Sequence, residues 1–83
     1  MPTVTVYYHA FLREKLGMNS ELLAFSSDAP TAGAVLDAFI GAHPEFAGLS
    51  HALNIAVDNE IAGHQAPVPP GARVDLLPPY GGG

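Results

Sequence analysis

The sequence contains no cysteine, and that absence excludes more chemistry than any residue present. Disulfides, zinc–thiolate sites and iron–sulfur clusters all require the thiolate. A cysteine nucleophile and a side-chain persulfide are excluded with them, so any sulfur this chain handles cannot sit on a thiol. Basic residues are nearly as scarce. Arg13, Lys15 and Arg73 are the only three, set against eight Asp and Glu, and the net charge is −5. Nucleic-acid binding needs a basic surface that displaces counterions, and three cations cannot build one. An acidic protein is better suited to a basic partner, where charge speeds encounter. Apolar runs are short, and none approaches the roughly 18–20 residues that cross a bilayer. No basic, apolar, cleavable leader opens the chain. The expectation is a cytoplasmic protein with no membrane partner.

What is present suffices for a fold. Hydrophobic residues make up 48% of the 83 positions and charged residues 13%, a balance that disordered chains do not show. The length fits one domain, which hides about 60–65% of its unfolded surface. Thr3 to Tyr8 alternates as a strand, with Val4, Val6 and Tyr8 on one side and Thr3, Thr5 and Tyr7 on the other. Ala10 to Met18 reads as a loop or short helical turn, punctuated by Gly17. Glu21 to Phe25 is a second short strand.

One helix follows. Thr31 is its expected N-cap, Val35, Leu36, Phe39 and Ile40 form its apolar stripe, and Pro44 stops it near His43. Leu53 to Asp58 alternates again, with Leu53, Ile55 and Val57 inward and Asn54, Ala56 and Asp58 outward. Asp58-Asn59 is turn chemistry, and Glu60 to Ala62 reads as a short return strand. Gln65 to Gly71 holds three prolines and reads as a stiff loop. Arg73 to Leu77 is the last strand, with Val74 and Leu76 inward, and Pro78-Pro79 ends it. Strand, strand, helix, strand, short strand, strand is an α+β order that curls one sheet over one helix. The other sheet face is left for solvent or a partner.

The tail carries the chemistry. Pro78-Pro79-Tyr80-Gly81-Gly82-Gly83 can neither pair well nor fill a core. Extended, these residues reach about 20 Å. The two prolines stiffen the base and project the rest outward. The glycines lack Cβ and can thread a channel too narrow for side chains. Tyr80 is an aromatic handle for a partner. The Gly83 carboxylate is ionised at neutral pH and inert until activated, for example as an acyl-adenylate. A frayed terminus is the plain alternative. Pro-Pro directly after a core strand argues against it.

Three patches give the chain a family likeness. VTVYYHAFLREKLG, the Pro30-Thr31 start of the helix, and PPGARVDLLPPYGGG together resemble the MoaD/ThiS family of ubiquitin-like, β-grasp sulfur carriers. The likeness is nearest to the small subunit of molybdopterin synthase. Pro78, Pro79, Gly82 and Gly83 match that family's Pro-Pro-x-x-Gly-Gly ending, with Tyr80 and Gly81 at its variable positions. Ala72, where such families often carry an acid, and the third glycine are departures.

The resemblance implies a mixed four- to five-stranded β-grasp sheet over one main helix. It implies a domain at 1–77 and a flexible tail at 78–83. It also implies a ubiquitin-activating-enzyme-like adenylyltransferase that uses Mg-ATP to adenylate Gly83, and a sulfur donor that converts the adenylate to a thiocarboxylate. The molybdopterin synthase large subunit would then receive the sulfur. ATP is bound by the partner on this account. The chain is a protein substrate or non-catalytic subunit that binds no cofactor and no metal. Thiamine or other thiolation pathways, a ubiquitin-like modifier and a plain interaction module stay open beside it.

The remaining residues offer less. The histidines His9, His43, His51 and His64 show no helical i, i+3 or i, i+4 pair and read as surface or loop residues. Arg13 and Glu14 read as a solvated ion pair. Asp28, Asp37, Asp58, Glu60 and Asp75 are scattered through turns and outward positions, so no independent catalyst is expected. Leu77, Tyr7 and Ala56 face away from the helix, and hydrophobes there mark a docking patch with Leu77 at its centre, beside the tail.

Overall fold

The computed structural model describes residues 3–25, 30–69 and 71–77. Eight elements follow in order: β1 (Thr3–Tyr8), α1 (Phe11–Leu16), β2 (Ser20–Ala24), α2 (Ala32–Ala42), a 3-10 helix (Pro44–Leu49), β3 (Asn54–Val57), β4 (Glu60–Ala62) and β5 (Val74–Leu77). The strands form one mixed sheet in the order β2-β1-β5-β3-β4. Only the central β1–β5 pair is parallel, with Val6, Tyr7 and Tyr8 opposite Val74, Asp75 and Leu76. This is the ubiquitin-like β-grasp arrangement, with α2 laid across one sheet face.

Local chemistry explains where the elements start and stop. The Thr31 hydroxyl accepts from the Ala34 N–H at 3.2 Å, which caps α2 as its position in the sequence requires. The helix ends at His43, whose extended backbone (φ −134°, ψ 72°) is what a following proline imposes. The 3-10 helix that begins at Pro44 has one buried residue, Phe46. α1 is a genuine helix, closed by Gly17 at φ 71°, whose N–H reaches the Arg13 carbonyl. Asp58 and Asn59 both sit at positive φ, 51° and 72°, as a two-residue hairpin turn between β3 and β4 demands.

Leu12, Val35, Phe39, Val74 and Leu76 are buried at the centre of the core. Phe39 packs its ring against Tyr8, His43 and Phe46 at centroid distances of 5.6, 5.3 and 5.6 Å. The loop after β4 is strapped across the start of α2. The Ala32 N–H donates to the Ala66 carbonyl, the Gly33 N–H to the His64 carbonyl, and the Val68 N–H to the Pro30 carbonyl. Gly33 permits this approach, since a Cβ there would stand 3.0 Å from the His64 oxygen. The leading amides of α2 are thereby occupied by Thr31 and the strap.

His43 is not the surface residue expected from the sequence. Its Nε2 lies 2.8 Å from Glu21 Oε1, with 15% of the side chain exposed, and the Tyr8 hydroxyl donates to the same oxygen at 2.6 Å. Burial, and then the Glu21 carboxylate, push the Tyr8 phenol up from its ordinary value.

Candidate functional site

The strand period of two places Thr5 and Tyr7 of β1 on the face away from α2, together with Asp75 and Leu77 of β5 and Asn54 and Ala56 of β3. Register completes the layout. Asp75 lies between Tyr7 and Ala56, Leu77 lies opposite Asn54, and Ala56 lies opposite Ile61 of β4. Tyr7, Ala56 and Leu77, the docking residues expected from the sequence, therefore share one face, but Ala56 is only 6% exposed under its larger neighbours and offers little contact area itself. Leu77 ends β5 there. Pro78, Pro79, Tyr80, Gly81, Gly82 and Gly83 lie outside the described residues.

This face is less apolar at its centre than the alternation of hydrophobes suggests. Asp75 is outward by position yet only 6% exposed, because its neighbours close over it. Arg73 grips it: Nε stands 3.1 and 3.2 Å from the two carboxylate oxygens, and Nη2 is 3.0 Å from Oδ1. His9 Nε2 reaches Oδ1 at 2.9 Å from the other side. The Arg73 guanidinium also stacks on the Tyr7 ring, 4.1 Å from its centroid. Burial works against the ionised Asp75. The hydrogen bonds and positive charge of Arg73 and His9 prevail and hold its carboxyl below the usual carboxylate range.

Beside this cluster lies a shallow bowl of about 280 Å³, walled by Leu77, Ile61 and Ala56 and rimmed by His9, Asn59 and Arg73. Among the described residues, Ile61, 66% exposed, is one of two large hydrophobes open to water; Leu22, on the same face in β2, is the other at 67%. Such a surface is too shallow to enclose a small substrate and has the apolar, open character of protein contact surfaces.

Three features of the site are absent from the reading of the sequence. Ile61 was recoverable, because a two-residue turn at Asp58-Asn59 forces Ala56 opposite Ile61. Asp75 and Arg73 share the i, i+2 spacing with Leu77, which puts all three on one strand face. His9 carries no local signal, since its partner is 66 positions away. Among the described residues no group of three or more His, Cys, Asp or Glu could hold a metal ion, and no helix is long and apolar enough to cross a membrane.

Comparison with known proteins gives a consistent outcome. The model of the ThiS family matches residues 6–83. No curated protein matches the sequence significantly. Among solved structures, small archaeal modifier protein 1 of Haloferax volcanii is 24% identical with a TM-score of 0.81, covering 96% of this chain and 100% of that one. The Pyrococcus furiosus protein assigned as molybdopterin converting factor, subunit 1, is 19% identical with a TM-score of 0.81 over the same shares, 96% and 100%. Small archaeal modifier protein 1 of Methanosarcina acetivorans is 20% identical with a TM-score of 0.79, covering 100% of this chain and 98% of that one. At these identities the likeness establishes the fold.

Proposed function

The chain belongs to the ThiS family, and from that premise we propose that it is a sulfur carrier for molybdopterin synthesis, loaded at Gly83. Family membership supports the broader class, a ubiquitin-like sulfur carrier or protein modifier. The observation that supports loading at Gly83 by a docked enzyme is the open face with its apolar rim. Tyr7, Ala56, Ile61 and Leu77 lie together on it, and Leu77 is the residue from which Pro78 to Gly83 continue. An enzyme seated on this face receives the following residues within their reach of about 20 Å.

The chemistry then runs in two steps on a partner that binds Mg-ATP. The Gly83 carboxylate oxygen attacks the α-phosphorus of ATP and pyrophosphate leaves, which makes the glycyl carbonyl electrophilic. Hydrosulfide released by a donor attacks that carbon, AMP leaves and the sulfur loses its proton, giving the thiocarboxylate. Glycine serves both steps because nothing shields its carbonyl. The large subunit of molybdopterin synthase is the proposed recipient, with the assigned function of the Pyrococcus furiosus relative as support.

Incubation with the cognate adenylyltransferase, ATP and a sulfur source should raise the intact mass by one oxygen-to-sulfur exchange. Deleting Gly83 should abolish the shift and leave the melting temperature unchanged. A shift that survives the deletion would end this reading. The modifier reading is favoured by the names of the Haloferax and Methanosarcina relatives. It predicts isopeptide-linked products carrying the glycine tail on other proteins' lysines. Transfer to a thiazole-forming enzyme instead would assign the carrier to the thiamine pathway.

A further inference from the structure

A buried carboxylate at the centre of the open face contributes little net stability that an aliphatic residue of similar volume would not. Paired charges removed from water gain little over hydrophobic replacements of similar volume. Asp75 is nevertheless there, held by two partners and lying under the bowl that Leu77 and Ile61 wall. Its oxygens are turned to Arg73 and His9, and its side chain is only 8% exposed. The two groups holding it are open: the Arg73 side chain is 49% exposed and that of His9 is 38% exposed. A protein arriving at this face therefore meets the free N–H groups of Arg73 at its centre, with the compensating acceptor hidden beneath and the second ring nitrogen of His9 at the rim. Asp58, the nearest acid along the hairpin, has Oδ1 engaged by the Arg73 backbone N–H at 3.0 Å.

We propose that Asp75 is a positioning residue that fixes Arg73 flat on Tyr7 and His9 at the rim of the bowl. The face so arranged selects an activating partner that sets a carboxylate against Arg73 and an apolar side chain between Leu77 and Ile61. This rests on the carrier reading above. It also inverts locally what the net charge of −5 implies globally. A partner drawn in by its basic surface must carry an acid at the point of contact. A guanidinium already oriented by a bidentate carboxylate and an aromatic ring loses little freedom on binding, which is where its selectivity arises.

The test uses the full chain and its cognate adenylyltransferase, with affinity from titration calorimetry and KM and kcat from the loading reaction. Arg73→Met should weaken binding at least tenfold. Lys15→Gln, which removes the same unit of charge from exposed α1, should change it less than twofold. Asp75→Asn makes the face more positive yet should weaken binding at least fivefold, as Arg73 loses its position. KM for the carrier should rise at unchanged kcat, because the Gly83 chemistry is untouched.

The double variant Arg73→Met/Asp75→Leu removes the ion pair without stranding either charge, so its fold survives. If apolar contact alone governs docking, this variant binds as well as or better than the parent, and the proposal is overturned. Equal weakening by Lys15→Gln overturns it too, since the effect is then long-range charge. A parent chain that binds and loads while every variant matches it sinks this inference alone. A parent chain that neither binds nor loads sinks the carrier reading with it.

Discussion

Ala10 stands at φ 54° and ψ −129°, a conformation that suits glycine. It joins β1 to α1, one position after His9, so its backbone sets how His9 approaches Asp75. An L-residue with a side chain there carries roughly 1–2 kcal/mol of strain. Ala10→Gly relieves the steric part and adds unfolded-state entropy, so a net gain of about 1 kcal/mol is expected from denaturant melts. A loss would mean that the local backbone is relaxed. Gly33 shows the opposite economy. It looks in the sequence like a weak point of α2, but it is where the His64 carbonyl crosses the helix, and its lack of a side chain is a packing requirement.

At the scale of elements, Glu21 ties three together: β2, which carries it, β1 through Tyr8, and the end of α2 through His43. Burial opposes its ionisation, but the hydrogen bonds from Tyr8 and His43 and the charge of His43 outweigh it and hold its pKa below the ordinary value. The folded value is thus below the unfolded one. The stabilisation is present above about pH 4.3, the free glutamate value, and is lost as pH falls through the folded pKa. Asp75 acts in the same direction. Acid titration of stability should therefore show a falling limb below about pH 4 that becomes shallower in Glu21→Gln. An unchanged limb in that variant would assign acid lability to other groups.

Much of this level was legible beforehand. Thr31 and Pro44 bracket α2, Asp58-Asn59 dictates a hairpin, and alternation gives each strand its inner side. The 3-10 helix after Pro44 was not legible, because a lone buried Phe46 makes no period. Nor were the contacts of His9 and His43, which come from pairings between distant strands and helices that no local window contains. Of the candidate site, Tyr7, Ala56 and Leu77 followed from alternation. The polar cluster between them needed the register of β1 on β5.

For the molecule as a whole, the β-grasp sheet separates two tasks by face. Stability is made on the side of α2, and the side left bare is the one proposed for recognition. Ile61 lets the separation be measured. At 66% exposure it contributes little to folding, so Ile61→Asp should alter stability by no more than about 0.5 kcal/mol. The same change puts an acid into the apolar wall of the bowl and should weaken binding of the adenylyltransferase at least tenfold. A variant that melts normally and still binds would place the contact surface elsewhere.

The central pairing of β1 with β5 has a consequence for timing. β1 has its place between β2 and a strand completed some seventy residues later at the ribosome. Until that late segment emerges, Tyr7 and His9 have no Asp75 beside them, and the surface a partner would inspect does not exist. A nascent or truncated chain cannot imitate it. On the reading proposed above, a partner that inspects this surface accepts only molecules that have closed their sheet.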